Sequence, residues 1–292
     1  MTTFVETSHR TVKVNFIQRY PLLAFFLLAF GLTWIFMITD ALGSHGIVSF
    51  RLPIPLLIVM GYMPTLAAVI VTWQIKGRAG VSALFKKLLI ARVGLGWYAL
   101  AIFGIAIAAI TTVMLYNMFG NGPAISILSR NAPPVSGPLQ LILMVVLMYI
   151  IVGLVNGEEL AWRGFALPRL QAKYSALTSS LILGVIWTLF HLPLFFTATG
   201  SSQTEMSFVS FLISTVSITV LYTWMYNNTR GSVLMAYLFH AAANTGTRVF
   251  SIDHTNPLID WTFTGLIVLV AVIVVLVTGT ENLSRKSMRV QE

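Results

Sequence analysis

Four ionisable side chains interrupt otherwise apolar stretches of this sequence: the adjacent Glu158 and Glu159, then His191 and His240. The chain holds only nine acidic residues and five histidines. A charged group at bilayer depth costs about 2.5–3.5 kcal/mol to insert, so these positions need a reason. The other acidic residues and His9, His45 and His254 fall in tails, loops or span ends. Residues four apart share a helix face, so Glu159 and Arg163 are spaced to form an ion pair. Glu158 is then turned about 100° away and left for another partner. His240 and Asn244 are also four apart and project together. Pro193 follows His191 and loosens the backbone ladder there, which is tolerated only where a helix is buried or lines a wet cavity.

These groups suit amide hydrolysis. Glu158 with His191 can polarise and deprotonate a water. His240 and Asn244 can donate hydrogen bonds to a tetrahedral oxyanion, where donors act best away from bulk water. A metal reading uses the same side chains: Glu158, His191 and His240 would supply three zinc ligands and leave a fourth position for water. There is no HExxH helix and asparagine is an uncommon zinc ligand, so the expected site has no cofactor, with zinc as the alternative. Plainer roles compete. Glu159 and Arg163 read as structural support, a lone intramembrane histidine more often bonds a neighbouring helix, and Asn244 alone would be interhelical glue. Trp162 and Trp187 read as packing or interfacial aromatics.

The elements that must position this set are membrane helices. Of 292 residues, 57% are hydrophobic and 9% charged, with a mean hydropathy of +0.85; a soluble domain carries about a quarter charged residues. Apolar runs of roughly 20 residues cross about 30 Å of hydrocarbon. The expected fold is all-α and polytopic, with eight spans near 21–42, 54–75, 97–118, 138–160, 177–198, 207–227, 231–250 and 258–279. Basic residues concentrate in cytoplasmic loops. With both termini cytoplasmic, fifteen of the 18 Lys and Arg lie inside, including Arg10, Lys13, Arg163, Arg169 and Lys286, against Arg51, Arg130 and Arg248 outside. The net charge of +9 is thus explained by topology and anionic lipid, with no nucleic-acid partner. The absence of cysteine excludes disulfides and cysteine nucleophiles. Residues 81–93 read as an amphipathic surface helix, and the outer loop with Asn131, Pro133 and Pro134 as irregular. No repeat or linker divides the chain, so residues 1–292 are expected to form one membrane domain. Counting rise from the inner ends puts Glu158 near the boundary, His240 about 14 Å deep and His191 about 20 Å deep. A cavity in the inner half of the bilayer is expected.

The sequence resembles the CPBP family of CAAX-processing and bacteriocin-processing intramembrane proteases, which includes the Ras-converting enzymes. Its EExxxR motif matches Glu158 to Arg163, its aromatic-xxx-His motif matches Trp187 to His191 (phenylalanine is often quoted at the aromatic position), and its HxxxN motif matches His240 to Asn244. The motifs lie in order over roughly residues 150–250, and the eight-helix layout is also similar. The resemblance implies an endopeptidase of membrane-associated peptide or protein substrates, prenylated CAAX-type ones among them. It implies Glu158 as base, His191 as its helper, and His240 with Asn244 as oxyanion partners. A bacterial plasma membrane is the expected location. Competing readings are a non-catalytic bacteriocin-immunity or scaffold protein, and a proton-coupled transporter; the latter should show inverted repeats with broken helices, which are not seen.

Overall fold

The computed structural model describes residues 15–129, 136–198, 202–285 and 288–291. Arg10, Lys13, Arg130, Lys286 and the loop residues Asn131, Pro133 and Pro134 lie outside them. The fold is all-α. A short α1 (Phe16–Arg19) leads into α2 (Pro21–Ser44), α3 (Ile54–Lys86), α4 (Leu95–Phe119) and α5 (Pro138–Val155). A π-helical segment (Leu160–Ala166) then runs into α6 (Leu167–Gln171), and α7 (Ala176–Phe190), α8 (Phe208–Asn228), α9 (Val233–Val249) and α10 (Pro257–Thr278) follow. Among the described residues seven helices are long and apolar enough to cross a membrane, which makes this an integral membrane protein.

The expected eighth span, 231–250, is α9. Its 17 residues fall short of the usual spanning length. It need not be apolar, because it touches little lipid: within it only Arg248 is exposed, and it packs against α4, α5 and α8. The up-and-down order nevertheless includes it. At one end of the bundle the Ser232 hydroxyl donates to the Ile90 carbonyl, the Asn227 amide donates to the Asn282 carbonyl, and the Ala176 N–H donates to the Glu281 carbonyl. At the other end the Ser129 N–H donates to the Val249 carbonyl, the Ser251 N–H to the Ile127 carbonyl, and the Ala198 N–H to the Ser44 hydroxyl.

Two stretches depart from expectation. The fourth span ends at Val155 rather than near residue 160, and Glu158 and Glu159 lie beyond it. Every residue from Glu159 to Gln171 is buried. This is no inner loop but a plug at the bundle's base, with Trp162 and Phe165 packed on Phe25 of α2. Gly164 lies so close to Leu84 and Val233 that an added Cβ would touch both. Arg163 and Arg169, counted as loop cations, are therefore interior groups. Arg169 donates to the Phe165 carbonyl at 2.8 Å with its guanidinium 3.5 Å from the Phe165 ring centroid. The amphipathic segment also begins earlier than expected. Gly77, at φ 57°, breaks α3 near its end, a left-handed conformation that favours glycine. The helix resumes to Lys86 and closes with a 3₁₀ turn, Lys87–Leu89.

Candidate active site

Glu159 anchors the site. Its Oε1 accepts from Arg163 Nη1 at 2.9 Å and from His240 Nδ1 at 2.7 Å, with both Glu159 and Arg163 fully buried. The Arg163 guanidinium lies between aromatic faces, 4.4 Å from the Trp187 ring centroid and 3.7 Å from that of Tyr222. Such cation–π contacts are strongest when desolvated. They serve the faces of a cation whose Nε and Nη2 have no hydrogen-bond partner among the described residues. The expected ion pair is present, and it does more than brace one helix, since it ties the plug to α9 through His240. A carboxylate only accepts, so His240 Nδ1 carries a proton and its Nε2 faces away from Glu159.

Glu158, in the non-helical link that precedes the plug, turns elsewhere. Its Oε2 accepts two indole N–H groups, Trp162 Nε1 at 2.8 Å and Trp187 Nε1 at 2.9 Å. Its Oε1 makes no hydrogen bond among the described residues. The carboxylate lies within coulombic range of both His191 and His240. His191 sits at the C-terminal end of α7, where the chain leaves the α-helix for a 3₁₀ turn (Leu192–Phe196) that accommodates Pro193. Its Nδ1 donates to the Trp187 carbonyl at 2.8 Å, so neutral His191 presents an unprotonated Nε2.

A cavity of about 810 Å³ adjoins these groups. Trp187, His191, Tyr222, His240 and Asn244 form its polar floor and wall, while Ile105, Met148, Ile218, Phe263 and Ile267 supply an apolar side. The Asn244 carboxamide makes no hydrogen bond with any described residue. Three of the four expected catalytic residues thus line one hollow. The fourth, Glu158, is not on that wall; it stands behind Trp187 and is joined to it by the indole hydrogen bond. The cavity's place also differs from expectation. It runs to the end of the bundle carrying Ser126, Glu205, Asp253 and His254, which is the end the basic residues leave outside, not the inner half. His191, at the C-terminal end of α7, and Asn244 and Arg248 of α9 line the cavity toward that end.

Trp162 and Trp187, read from sequence as packing or interfacial aromatics, are the hydrogen-bond donors to Glu158. The cue available was the four-residue step from Glu158 to Trp162. For the zinc alternative, each expected ligand keeps one atom open, since His240 and His191 are engaged through Nδ1 and Glu158 through Oε2, but no three His, Asp or Glu among the described residues are grouped to hold a metal ion.

Residues 138–246 match the family model described as type II CAAX prenyl endopeptidase, Rce1-like. Over this stretch the chain is similar to that family. The stretch takes in Glu158, His191, His240 and Asn244. One curated relative, CAAX prenyl protease 2 of Methanococcus maripaludis, is 34% identical over 125 residues, which is 41% of this chain and 45% of the relative. The match therefore covers less than half the length of either chain. That relative is archaeal, so it lends nothing to the expected bacterial membrane.

Proposed function

We propose that the chain is an intramembrane endopeptidase that hydrolyses peptide bonds of membrane-associated substrates, prenylated CAAX-type peptides among them. The observation that carries this reading is the convergence of His191, His240 and Asn244 on one partly apolar cavity, with the tethered Glu158 carboxylate directly behind its wall. A water held between Glu158 Oε1 and His191 Nε2 gives up a proton to the Glu158 carboxylate as its oxygen attacks the scissile carbonyl carbon. The resulting oxyanion accepts from the Asn244 amide and from His240 Nε2. Because His240 Nδ1 already donates to Glu159, the donating form at Nε2 is the imidazolium, whose charge the Glu159 carboxylate balances. The C–N bond then breaks, and the proton taken from water passes to the departing amine. No step requires a metal.

In the purified full-length protein, Glu158→Ala abolishes cleavage of a prenylated CAAX-type peptide while the thermal unfolding transition is retained. Undiminished cleavage by that variant overturns the assignment of Glu158.

A further inference from the structure

Arg248 is the last cation of α9 and the only exposed residue of that helix. It stands four residues beyond Asn244 and eight beyond His240, so all three occupy one helix face, and all three line the cavity. The Rce1-like match ends at residue 246, so Arg248 lies just outside it. Its guanidinium makes no hydrogen bond or ion pair with any described residue. Carboxylates stand near the same rim but are engaged elsewhere or unpaired with it. Asp260 accepts from His254 Nδ1 at 2.7 Å, Asp253 accepts from the Thr255 N–H at 2.9 Å and hydroxyl at 2.6 Å, and Glu205 forms no ion pair with Arg248. A planar cation with free donors, set in a cavity wall, is suited to bidentate capture of a carboxylate.

Distance gives this cation a meaning. Eight residues of α-helix rise about 12 Å from His240 to Arg248. An extended peptide covers about 3.3–3.6 Å per residue, so roughly three or four residues bridge that span. We infer that Arg248 binds the free C-terminal carboxylate of the peptide substrate and so fixes how many residues lie between the cut and the chain end. This rests on the protease reading, which supplies the cut site beside His240 and Asn244. The substrate's C-terminus then points toward the cavity mouth. Its apolar side chains or lipid meet Ile105, Ile218 and Ile267 deeper in.

The test uses two farnesylcysteine peptides with three residues after the modified cysteine, identical except that one ends in a free carboxylate and the other in an amide. Binding is measured to the full-length Glu158→Ala protein, which needs no turnover, and cleavage is measured with the unsubstituted protein. The carboxylate form should bind about tenfold or more tighter, the gain expected of a charge-assisted hydrogen bond. Adding Arg248→Gln should collapse that ratio to near one, and Arg248→Lys should keep part of it. Equal affinity for the two peptides, or binding of neither, overturns the subsite. So does a preference that survives Arg248→Gln, which would leave Arg248 as an anchor for lipid phosphate. Cleavage of both peptides at equal rates would remove the subsite yet leave the protease standing, whereas binding with carboxylate preference but no cleavage would do the reverse.

Discussion

Trp187 serves the site in three ways at once: its carbonyl accepts from His191, its indole N–H donates to Glu158, and its ring face meets Arg163. A phenylalanine at this position would keep a ring against Arg163 and the backbone carbonyl under His191. It would lose only the N–H that points Glu158 Oε2 inward and leaves Oε1 unbonded. Trp187→Phe isolates that hydrogen bond, as Trp162→Phe isolates the other. A hydrogen bond to a charged group is worth about 1.5–3 kcal/mol. Each change should lower kcat roughly tenfold to a hundredfold with a much smaller effect on KM, since Glu158 is positioned for the reaction and does not hold the substrate. Steady-state kinetics on a prenylated peptide decides it; a rise in KM with kcat unchanged would make the indoles binding groups. At this scale the sequence was informative where spacing alone determines contact. The step of four from Glu159 to Arg163, and from His240 to Asn244, survives folding because helices preserve it. Which donors reach Glu158 depends on the rotamer and depth of two indoles, one from another helix. Tryptophan in a membrane chain is commonest at the interface, which favours an interfacial or packing interpretation over a role at the site.

Elements were legible where they face lipid. α5 is the extreme case, with Val152 its only buried residue, and such a helix must be apolar all round. α9 and the plug from Glu159 to Gln171 face protein, so their composition carries no comparable constraint, and the plug's arginines read as ordinary loop cations. What places His191 is the fit of α7 against α8, and that fit turns on Gly184. A Cβ added there would lie 2.7 Å from Val216 Cα, a backbone atom that cannot swing aside. Gly184→Ala should therefore force the two helices apart and destabilise the fold by about 1–3 kcal/mol, the usual cost of overpacking. A lowered unfolding temperature in detergent, with reduced activity from a shifted His191, is the expected result. A variant as stable and active as the parent would mean the α7–α8 contact is slack.

For the whole molecule, which end of the bundle meets the cytoplasm decides where substrate enters, because the cavity reaches only one of them. Among the described residues, and leaving aside the buried Arg163 and Arg169, ten cations lie at the end holding Lys173 and Arg230, against Arg51 and Arg248 at the cavity mouth. Removing the two interior arginines from the count leaves the bias intact, since a cation buried against a carboxylate or an aromatic ring exerts no pull on membrane orientation. By that bias the mouth opens on the outer face, and peptides would enter from outside with their C-termini toward Arg248. The chain has no cysteine, so a single introduced thiol reports its side without background. Thr255→Cys sits at an exposed position by the mouth and Lys173→Cys at an exposed position on the opposite end. In intact cells a membrane-impermeant maleimide should label Thr255→Cys at once and Lys173→Cys only after lysis. The opposite pattern would turn the bundle over: the mouth would open to the cytoplasm, and the ten cations would then have to be held outside by contacts stronger than the charge bias.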